Sequence, residues 1–334
     1  MASRRNPVGQ EFWSLKVAGV FGLVMAAGCV GAPEEASRST SEINGGNFAA
    51  SWQWQRSASF GYCTGTIIGV RHVLTAAHCT PAVNDIVRFY ATNTTVDTTQ
   101  GARVAAVTVR PGVMPSINDY YDTAGDFADF AVVHLDRDIP STSRVATMSW
   151  YYPGDDALGF KVGQGAHNGA ANPSGSLMTI NDQTYSSDDN SGHFLSENEQ
   201  TNPGDSGGAF FRNTGSAVTN RNLLGVLFGD AFEWEWRNLY TSVPEHLNFI
   251  LNAMSYSASF SALPSPRLPS AANTLLASYA PSELACRYAC ERTGACMMYT
   301  YAPGASAFGF AECYLASSTA GALMPVPGAT SRAK

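Results

Sequence analysis

Short runs of β-branched and aromatic residues, separated by Gly, Pro, Asn and Asp, dominate the chain from about residue 48 onward. Runs of this length and composition are typical of β-strands, and the residues between them are typical of tight turns. The pattern predicts strands over five stretches: Thr66 to Val70, Ile86 to Tyr90, Val104 to Val109, Phe130 to Leu135 and Leu223 to Phe228. Many short strands with little helix indicate an all-β barrel or sandwich.

One stretch follows the helical period instead. From Pro244 to Met254, apolar residues recur at spacings of three and four, which places them on one face of a helix. These residues are Leu247, Ile250, Leu251 and Met254. The long β-rich part of the chain is therefore predicted to end in a helix.

The first 28 residues carry an export pattern. Arg4, Arg5 and Lys16 precede an apolar run from Val17 to Gly28. A run of this length is too short to cross a bilayer, which takes about 20 residues, and it is typical of a signal peptide. The mature protein is therefore predicted to lie outside the cytoplasm.

The apolar run ends at Ala26-Ala27-Gly28-Cys29, which resembles a bacterial lipobox. This resemblance implies cleavage before Cys29 and a lipid on that cysteine, which would attach the protein to a membrane at the cell envelope. Ala26 stands where a larger aliphatic residue is usual, so plain secretion after cleavage is the alternative. Residues 29–42 are polar and small and are interpreted as a tether or propeptide.

Composition narrows the classes of function. With 334 residues, 45% of them hydrophobic, the chain can bury one large core or one large and one small core. The net charge of -7 and the lack of a basic run give no reason to expect nucleic acid as a partner. Phosphate-binding glycine loops and the HExxH zinc motif are absent, so the sequence predicts no cofactor and no metal.

Seven cysteines divide into groups along the sequence: Cys29, Cys63, Cys79, Cys286, Cys290, Cys296 and Cys313. Setting the lipobox cysteine aside leaves an even six, as expected in an oxidising compartment. Because these six form one early pair and one late cluster of four, two separately cross-linked units are predicted.

The stretch from Pro203 to Gly208 places Ser206 between an acid and paired glycines. Glycine tolerates the positive φ angles of a tight turn and leaves the N–H groups of Gly204 and Ser206 unobstructed. These features fit a nucleophilic serine, but Gly, Asp and Ser are also ordinary turn formers. The choice depends on whether a histidine base and an orienting acid lie elsewhere in the chain.

Two segments of the first half supply the histidine. Cys63-Thr64-Gly65-Thr66-Ile67-Ile68 precedes Ala76-Ala77-His78-Cys79, and His78 lies 15 positions after Cys63. Both segments and their spacing resemble the chymotrypsin-like (trypsin-type) serine peptidases. The resemblance implies that His78 is the general base and acid, and that Cys63 and Cys79 form a disulfide beside it.

The orienting acid should lie at the start of a strand. The segment from Asp126 to Leu135 offers two frames, one that begins at Asp126 and one that begins at Asp129. Asp129 precedes an unbroken apolar strand, whereas the frame that starts at Asp126 is interrupted by Asp129 itself. We therefore take Asp129 as the acid, with Asp126 as the alternative. The chain order His78, Asp129, Ser206 is that of the chymotrypsin branch, and the resemblance covers about residues 43–254.

The resemblance also implies roles around the serine. The N–H groups of Gly204 and Ser206 form the oxyanion hole, and the amine of a newly cut Ile43 pairs with Asp205. Gln200 stands at the floor of the specificity pocket, where an aspartate confers preference for Arg and Lys in trypsin.

Several positions depart from the family pattern. Glu42 precedes Ile43, so activation requires a glutamyl-specific cut, or a cut at Arg38 followed by trimming. Asn202 replaces a cysteine and Ala209 a frequent proline. With Gln200 in place of aspartate, preference for basic residues is not expected. The sequence leaves open which side chain the specificity pocket accepts.

The end of the chain resembles a different family. Residues 255–270, rich in Ser, Ala and Pro, read as a linker that merges into a second unit over residues 271–334. There the four late cysteines and the strand Tyr299-Thr300-Tyr301 resemble the PAN/Apple module. The resemblance implies two disulfides, Cys286–Cys313 and Cys290–Cys296. The alternative, a zinc site, fits the cysteine spacing and an exported location poorly.

Together the two resemblances imply a mainly β chain with a two-barrel chymotrypsin-like fold, a C-terminal helix and a small α+β module. The expected function is an exported serine endopeptidase acting on polypeptides, with a C-terminal module that binds a protein or carbohydrate. The alternative is a catalytically silent binding protein on a peptidase scaffold.

Overall fold

The computed structural model describes residues 46–115, 119–152, 154–165, 175–186, 192–196, 201–213, 221–233, 235–256, 260–263, 265–304, 311–323 and 328–334. Strands dominate this part of the chain, as the hydrophobic pattern predicts. The helices are α1 (Ser51–Trp54), α2 (Val243–Ala253) and α3 (Glu283–Arg292). Within the described ranges, none of the helices is long and apolar enough to cross a membrane.

The first barrel is a closed ring of six antiparallel strands. Its order is β2-β3-β4-β7-β6-β5. The strands are β2 (Ser57–Ser59), β3 (Thr64–Gly69), β4 (His72–Thr75), β5 (Ile86–Tyr90), β6 (Val96–Val109) and β7 (Ala131–Leu135). Fully buried aliphatic side chains of these strands, such as Ile67, Leu74 and Val133, belong to the hydrophobic core. Each such side chain contributes roughly 1.5–3 kcal/mol to folding, which makes the barrel a firm support for the loops at its rim.

A second set of strands forms a seven-stranded sheet in the order β1-β9-β10-β13-β12-β11-β8. A further pairing of β8 with β9 closes six of these strands into a ring and leaves β1 at an edge. The strands are β1 (Asn47–Phe48), β8 (Leu158–Gly163), β9 (Met178–Ser186), β10 (His193–Ser196), β11 (Ala209–Arg212), β12 (Leu223–Glu233) and β13 (Glu235–Ser242). The expected mainly β fold with two barrels is therefore confirmed.

Helix α2 braces the first barrel with the face that the sequence predicts. Its bounds, Val243–Ala253, differ by one residue at each end from the predicted Pro244 to Met254. Leu247, Ile250 and Leu251 are buried, and the Phe249 ring meets Phe130 edge-on at 5.9 Å. The helix thus packs against the residue that follows Asp129.

The C-terminal region is a small α+β unit. Its five-stranded sheet has the order β14-β20-β17-β18-β16, and β15 pairs with β19. The strands are β14 (Ser261–Ala262), β15 (Arg267–Pro269), β16 (Thr274–Tyr279), β17 (Met298–Ala302), β18 (Glu312–Ala316), β19 (Gly321–Leu323) and β20 (Thr330–Ala333). Strands β14 and β15 lie within the stretch interpreted as a linker and pair with strands from the end of the chain.

Two disulfides join helix α3 to this sheet. Cys286 is bonded to Cys313 in β18, and Cys290 is bonded to Cys296 just before β17. Helix α3 also contacts the preceding part of the chain, because the Tyr288 hydroxyl accepts a hydrogen bond from the N–H of Met148 at 2.9 Å. The C-terminal unit is therefore cross-linked internally and packs on the barrels.

Candidate active site

His78 lies on a single 3₁₀ turn, Ala77–Cys79, directly after strand β4. A disulfide between Cys63 and Cys79 ties this turn to the start of strand β3. The next residue, Thr80, has a left-handed φ of 44°, which ends the turn sharply. Strand β4 and the disulfide together fix the backbone that carries the imidazole.

Asp129 orients that imidazole with both of its carboxylate oxygens. Oδ2 lies 2.7 Å from His78 Nδ1, and Oδ1 accepts the His78 backbone N–H at 2.8 Å. The Asp129 side chain is fully buried, whereas the His78 side chain is 23% exposed. With Nδ1–H donating to the acid, Nε2 is the basic nitrogen, and it is available to a neighbouring group.

The alternative acid, Asp126, has a different environment. Its backbone N–H donates to Oδ1 of Asp122 at 3.1 Å, as part of the turn that leads into the strand. The Asp129 backbone is held from the second barrel, since Thr241 Oγ1 donates to its carbonyl oxygen at 3.1 Å. Of the two frames open in the sequence, the structure brings only Asp129 to His78.

Ser206 lies on a turn built by two glycines with positive φ: 106° at Gly204 and 78° at Gly207. A side chain at Gly207 would overlap the Thr64 carbonyl oxygen and the Thr75 hydroxyl of the first barrel. Thr64 also holds the turn, because its N–H donates to the Ser206 carbonyl at 2.9 Å. The serine is therefore presented where the two barrels meet.

The Ser206 hydroxyl and the His78 ring adjoin the same residue, Phe228 in strand β12. Ser206 Oγ donates to the Phe228 carbonyl oxygen at 3.4 Å, and the His78 ring meets the Phe228 ring edge-on at 5.3 Å. No hydrogen bond joins Ser206 to His78 among the described residues. A turn of the serine hydroxyl away from Phe228 is thus needed for contact with the imidazole; such contacts often form only when substrate binds.

Two backbone donors lie at the serine turn. Within the described ranges, the N–H groups of Gly204 and Ser206 make no hydrogen bond to the chain. The Gly204 carbonyl faces the other way and accepts from Thr64 Oγ1 at 2.9 Å. Unengaged N–H groups beside a serine hydroxyl can stabilise an oxyanion that forms on a bound carbonyl.

The family of the chain is shown by a comparison with protein-family models. Residues 40–250, more than half of the 334, match the family model described as Trypsin. The chain belongs to the trypsin family. Members of this family are serine proteases, so polypeptides are the substrates that membership indicates.

Among solved structures, the chain is similar to neuropsin, described as a serine protease expressed in the limbic system of mouse brain. The sequences are 17% identical, and the match covers 63% of this chain and 99% of neuropsin, with a TM-score of 0.49. No curated protein matches the chain.

Asp205, the acid before the serine, is fully buried in this trypsin-family chain. Its Oδ1 accepts the N–H of Gly165 at 2.6 Å, and its Oδ2 accepts the N–H of Asn202 at 2.8 Å. A side chain at Gly163 or Gly165 would overlap the carboxylate. The glycines of the Gly163-Gln164-Gly165 motif are thus required for Asp205 to lie between that motif and the serine turn.

Gln164, between those glycines, links the barrels through its side chain. Its Nε2 donates to the Cys63 carbonyl at 2.6 Å, and its Oε1 accepts from the Tyr90 hydroxyl at 2.8 Å. The sequence did not predict this role. The signal available was a polar residue between two glycines, which is insufficient to identify a barrel contact.

A buried polar network that sequence reasoning also missed reaches the segment before the serine. Lys161 Nζ lies 2.5 Å from Asp182 Oδ2, and both side chains are almost fully buried. Lys161 also donates to Asn238 Oδ1 at 2.6 Å, and Asn238 Nδ2 donates to Thr201 Oγ1 at 2.8 Å. Thr201 precedes Ser206 by five positions, so this network supports the wall beside the serine.

Three predicted residues lie outside the described residues: Ile43, Gln200 and Cys29. One group in the described part of the chain has metal-ligand types close together, namely Cys63, His78 and Cys79. Because the two cysteines are joined in a disulfide, they offer no thiolate to a metal ion.

Proposed function

We propose that this protein is a serine endopeptidase that cleaves peptide bonds through an acyl-enzyme, with His78, Asp129 and Ser206 as its catalytic triad. The observation that carries the proposal is the double hydrogen bond from His78 to the buried Asp129 carboxylate. It fixes the imidazole with Nε2 as the base, beside a serine on a glycine-built turn. That arrangement suits proton transfer from a hydroxyl.

In the proposed reaction, His78 Nε2 takes the Ser206 proton as Oγ attacks the substrate carbonyl carbon. The carbonyl oxygen becomes an oxyanion, which the N–H groups of Gly204 and Ser206 stabilise. The imidazolium then protonates the leaving amine as the C–N bond breaks. Water, deprotonated by His78, attacks the acyl ester and releases Ser206. Each oxyanion donor contributes on the order of 10²–10³ in rate.

The environment of Asp205 supports an activation step as part of the proposal. Its buried carboxylate accepts two backbone N–H groups, and a buried anion is stabilised further by a cation. We propose the amine of a newly cut Ile43 as that cation. N-terminal sequencing of active material should find Ile43 at the new end, and active material without that end would overturn the activation step.

The substrate side chain that the specificity pocket accepts depends on Gln200 and its surroundings. A neutral amide there, with Asn202 in place of a cysteine, favours uncharged side chains over Arg and Lys. Cleavage after uncharged residues is therefore part of the proposal.

The other parts of the chain complete the proposal. The signal-like start and the six bonded cysteines fit an exported protein, held at the envelope by a lipid on Cys29 or secreted. The α+β unit with Cys286–Cys313 and Cys290–Cys296 is proposed as a PAN/Apple-like module that binds a protein or carbohydrate. Such a module would hold the peptidase at its substrate or at a surface.

Profiling of a peptide library tests the function. Processed protein should cleave internal bonds with a preference for uncharged side chains on the acyl side. Ser206→Ala should abolish cleavage while the melting temperature stays close to that of the parent. Equal cleavage by both proteins, or no cleavage by processed protein, would favour the silent binding protein.

A further inference from the structure

A second concave site lies at the edge of the second barrel. It is a cavity of about 240 Å³ lined by residues of α1, β1, β8 and β9 together with Arg221. Its walls include three aromatic rings, those of Phe48, Trp52 and Phe160, and three amide side chains, those of Asn47, Gln53 and Asn181. None of its lining residues belongs to the proposed triad or oxyanion hole.

Arg221 is the charged group of this cavity. Its guanidinium carbon lies 4.3 Å from the Trp52 ring centroid and 5.4 Å from that of Phe160. The Arg221 Nε atom is buried and has no hydrogen-bond partner among the residues that the structure describes. Across the described ranges, no carboxylate pairs with Arg221. A buried charged donor without an acceptor is unfavourable, so the site favours a ligand that supplies one.

Two further arginines, Arg56 and Arg144, lie near Arg221 but outside the cavity lining, although the chain as a whole carries -7. Arg56 donates to the Trp52 carbonyl at 2.6 Å, and Arg144 donates to the Ser141 carbonyl at 2.6 Å. Burial, and then the charges of Arg144 and Arg221, lower the pKa of Arg56. In the described part of the chain these three arginines have no acidic partner.

Two other polar side chains of the wall, Gln53 and Thr179, are already engaged with the chain. Gln53 Oε1 accepts the Ala50 N–H at 2.7 Å, and Gln53 Nε2 donates to Thr179 Oγ1 at 2.6 Å. The Trp52 ring lies against the guanidinium, and Phe160 lies on the same side, because the two ring centroids are only 5.6 Å apart. The N–H groups along the edge of the guanidinium are the part that a ligand can bind. A planar carboxylate matches that edge with two parallel hydrogen bonds, and its single charge matches one arginine.

We propose that this cavity binds a carboxylate, carried either by a glutamyl side chain of a peptide or by a free small acid. Arg221 pairs with the carboxylate, and Trp52 and Phe160 contact the aliphatic part of the ligand. Because the site shares no residue with the triad, its occupation does not depend on the proposed peptidase activity.

Calorimetric titration of the full chain carrying Ser206→Ala tests the proposal without hydrolysis of the probe. Acetyl-glutamate amide is expected to bind at one site, with affinity that falls as salt is raised. The neutral acetyl-glutamine amide should bind at least about tenfold more weakly. Butyrate, a free acid with one carboxylate, separates the two sources of the ligand. Binding of butyrate at least as tight as that of acetyl-glutamate amide assigns a free acid, and weaker binding assigns a peptide.

Variants of the arginines complete the test. Arg221→Gln should weaken binding of acetyl-glutamate amide by about tenfold or more, and Arg221→Lys, which keeps the charge but loses the planar edge, by less. Arg144→Gln removes a nearby cation outside the cavity and should change affinity less than about twofold. Failure of both acids to bind, or unchanged affinity in both folded Arg221 variants, would overturn the proposal.

Discussion

One carboxylate, that of Asp129, bonds to both the backbone N–H and the imidazole Nδ1 of His78, at 2.8 Å and 2.7 Å. The two bonds use different oxygens, so the ring cannot rotate without breaking one of them. A fully buried anion thereby fixes the position and tautomer of a partly exposed base.

Replacing this acid should affect turnover far more than binding. Asp129→Asn retains the shape but presents an amide, which favours the wrong imidazole tautomer. We expect kcat to fall by about 10⁴-fold with little change in KM. Asp126→Asn is the matched control and should keep kcat within about threefold. Equal losses in both variants would contradict the assignment of Asp129.

Two glycines with similar φ allow a test of the serine turn. Gly207 (φ 78°) is enclosed by Thr64 and Thr75, whereas Gly125 (φ 89°) faces open space. Alanine at Gly125 should lower the free energy of unfolding by about 1 kcal/mol, the cost of the left-handed backbone. Alanine at Gly207 should lower it by several kcal/mol more, because its methyl group overlaps the first barrel. Similar losses in chemical denaturation would refute the packing argument.

The contributions of Lys161 and Asp182 to the free energy of unfolding should be coupled, because the two residues form a buried ion pair. Lys161→Met leaves a carboxylate in the interior without its cation, so the free energy of unfolding should fall by about 3–5 kcal/mol. Adding Asp182→Leu to that variant removes the unpaired charge and should recover part of the loss. Additive losses, measured by urea unfolding of the four proteins of this cycle, would show that the pair is not coupled.

His246 should make the fold sensitive to acid. Burial lowers the pKa of this imidazole, whose Nε2–H donates to the Phe127 carbonyl at 2.8 Å. The unfolded chain, with a histidine pKa of about 6.5, binds the proton first, so stability falls as the pH drops below that value toward the folded pKa.

In His246→Gln, the melting temperature should depend less on pH below 6.5 than in the parent, about 6.5 being the ordinary histidine pKa. Some dependence should remain, because burial also lowers the pKa values of His72 and His134. An unchanged pH dependence would exclude His246 as a contributor.

Much of the fold was accessible from sequence because its signals are local. The strand Ile86–Tyr90 is found with the predicted bounds, and helix α2 is displaced by one residue. The segments around His78 and Ser206 carry their chemistry in adjacent residues. The frame at Asp129 was selected because an apolar strand follows it.

The missed features depend on strand register. Lys161 and Asp182 meet because β8 pairs with β9, with Gly159 opposite Asp182 and Lys161 opposite Ile180. A charged residue in a strand is ordinarily exposed, so nothing in the sequence marks this pair as buried. The environment of Arg221 was not predictable for a related reason, since its aromatic neighbours Trp52 and Phe160 lie far away in sequence.

Labelling by a fluorophosphonate, followed by mass spectrometry of the labelled peptide, tests whether Ser206 is the nucleophile. We expect processed protein to be phosphonylated on Ser206 and Ser206→Ala to be unlabelled. We also expect His78→Ala to react with the fluorophosphonate at least about 10³-fold more slowly than the parent, because the Ser206 hydroxyl loses its base. Labelling at another residue, or equal labelling of Ser206→Ala, would contradict the account.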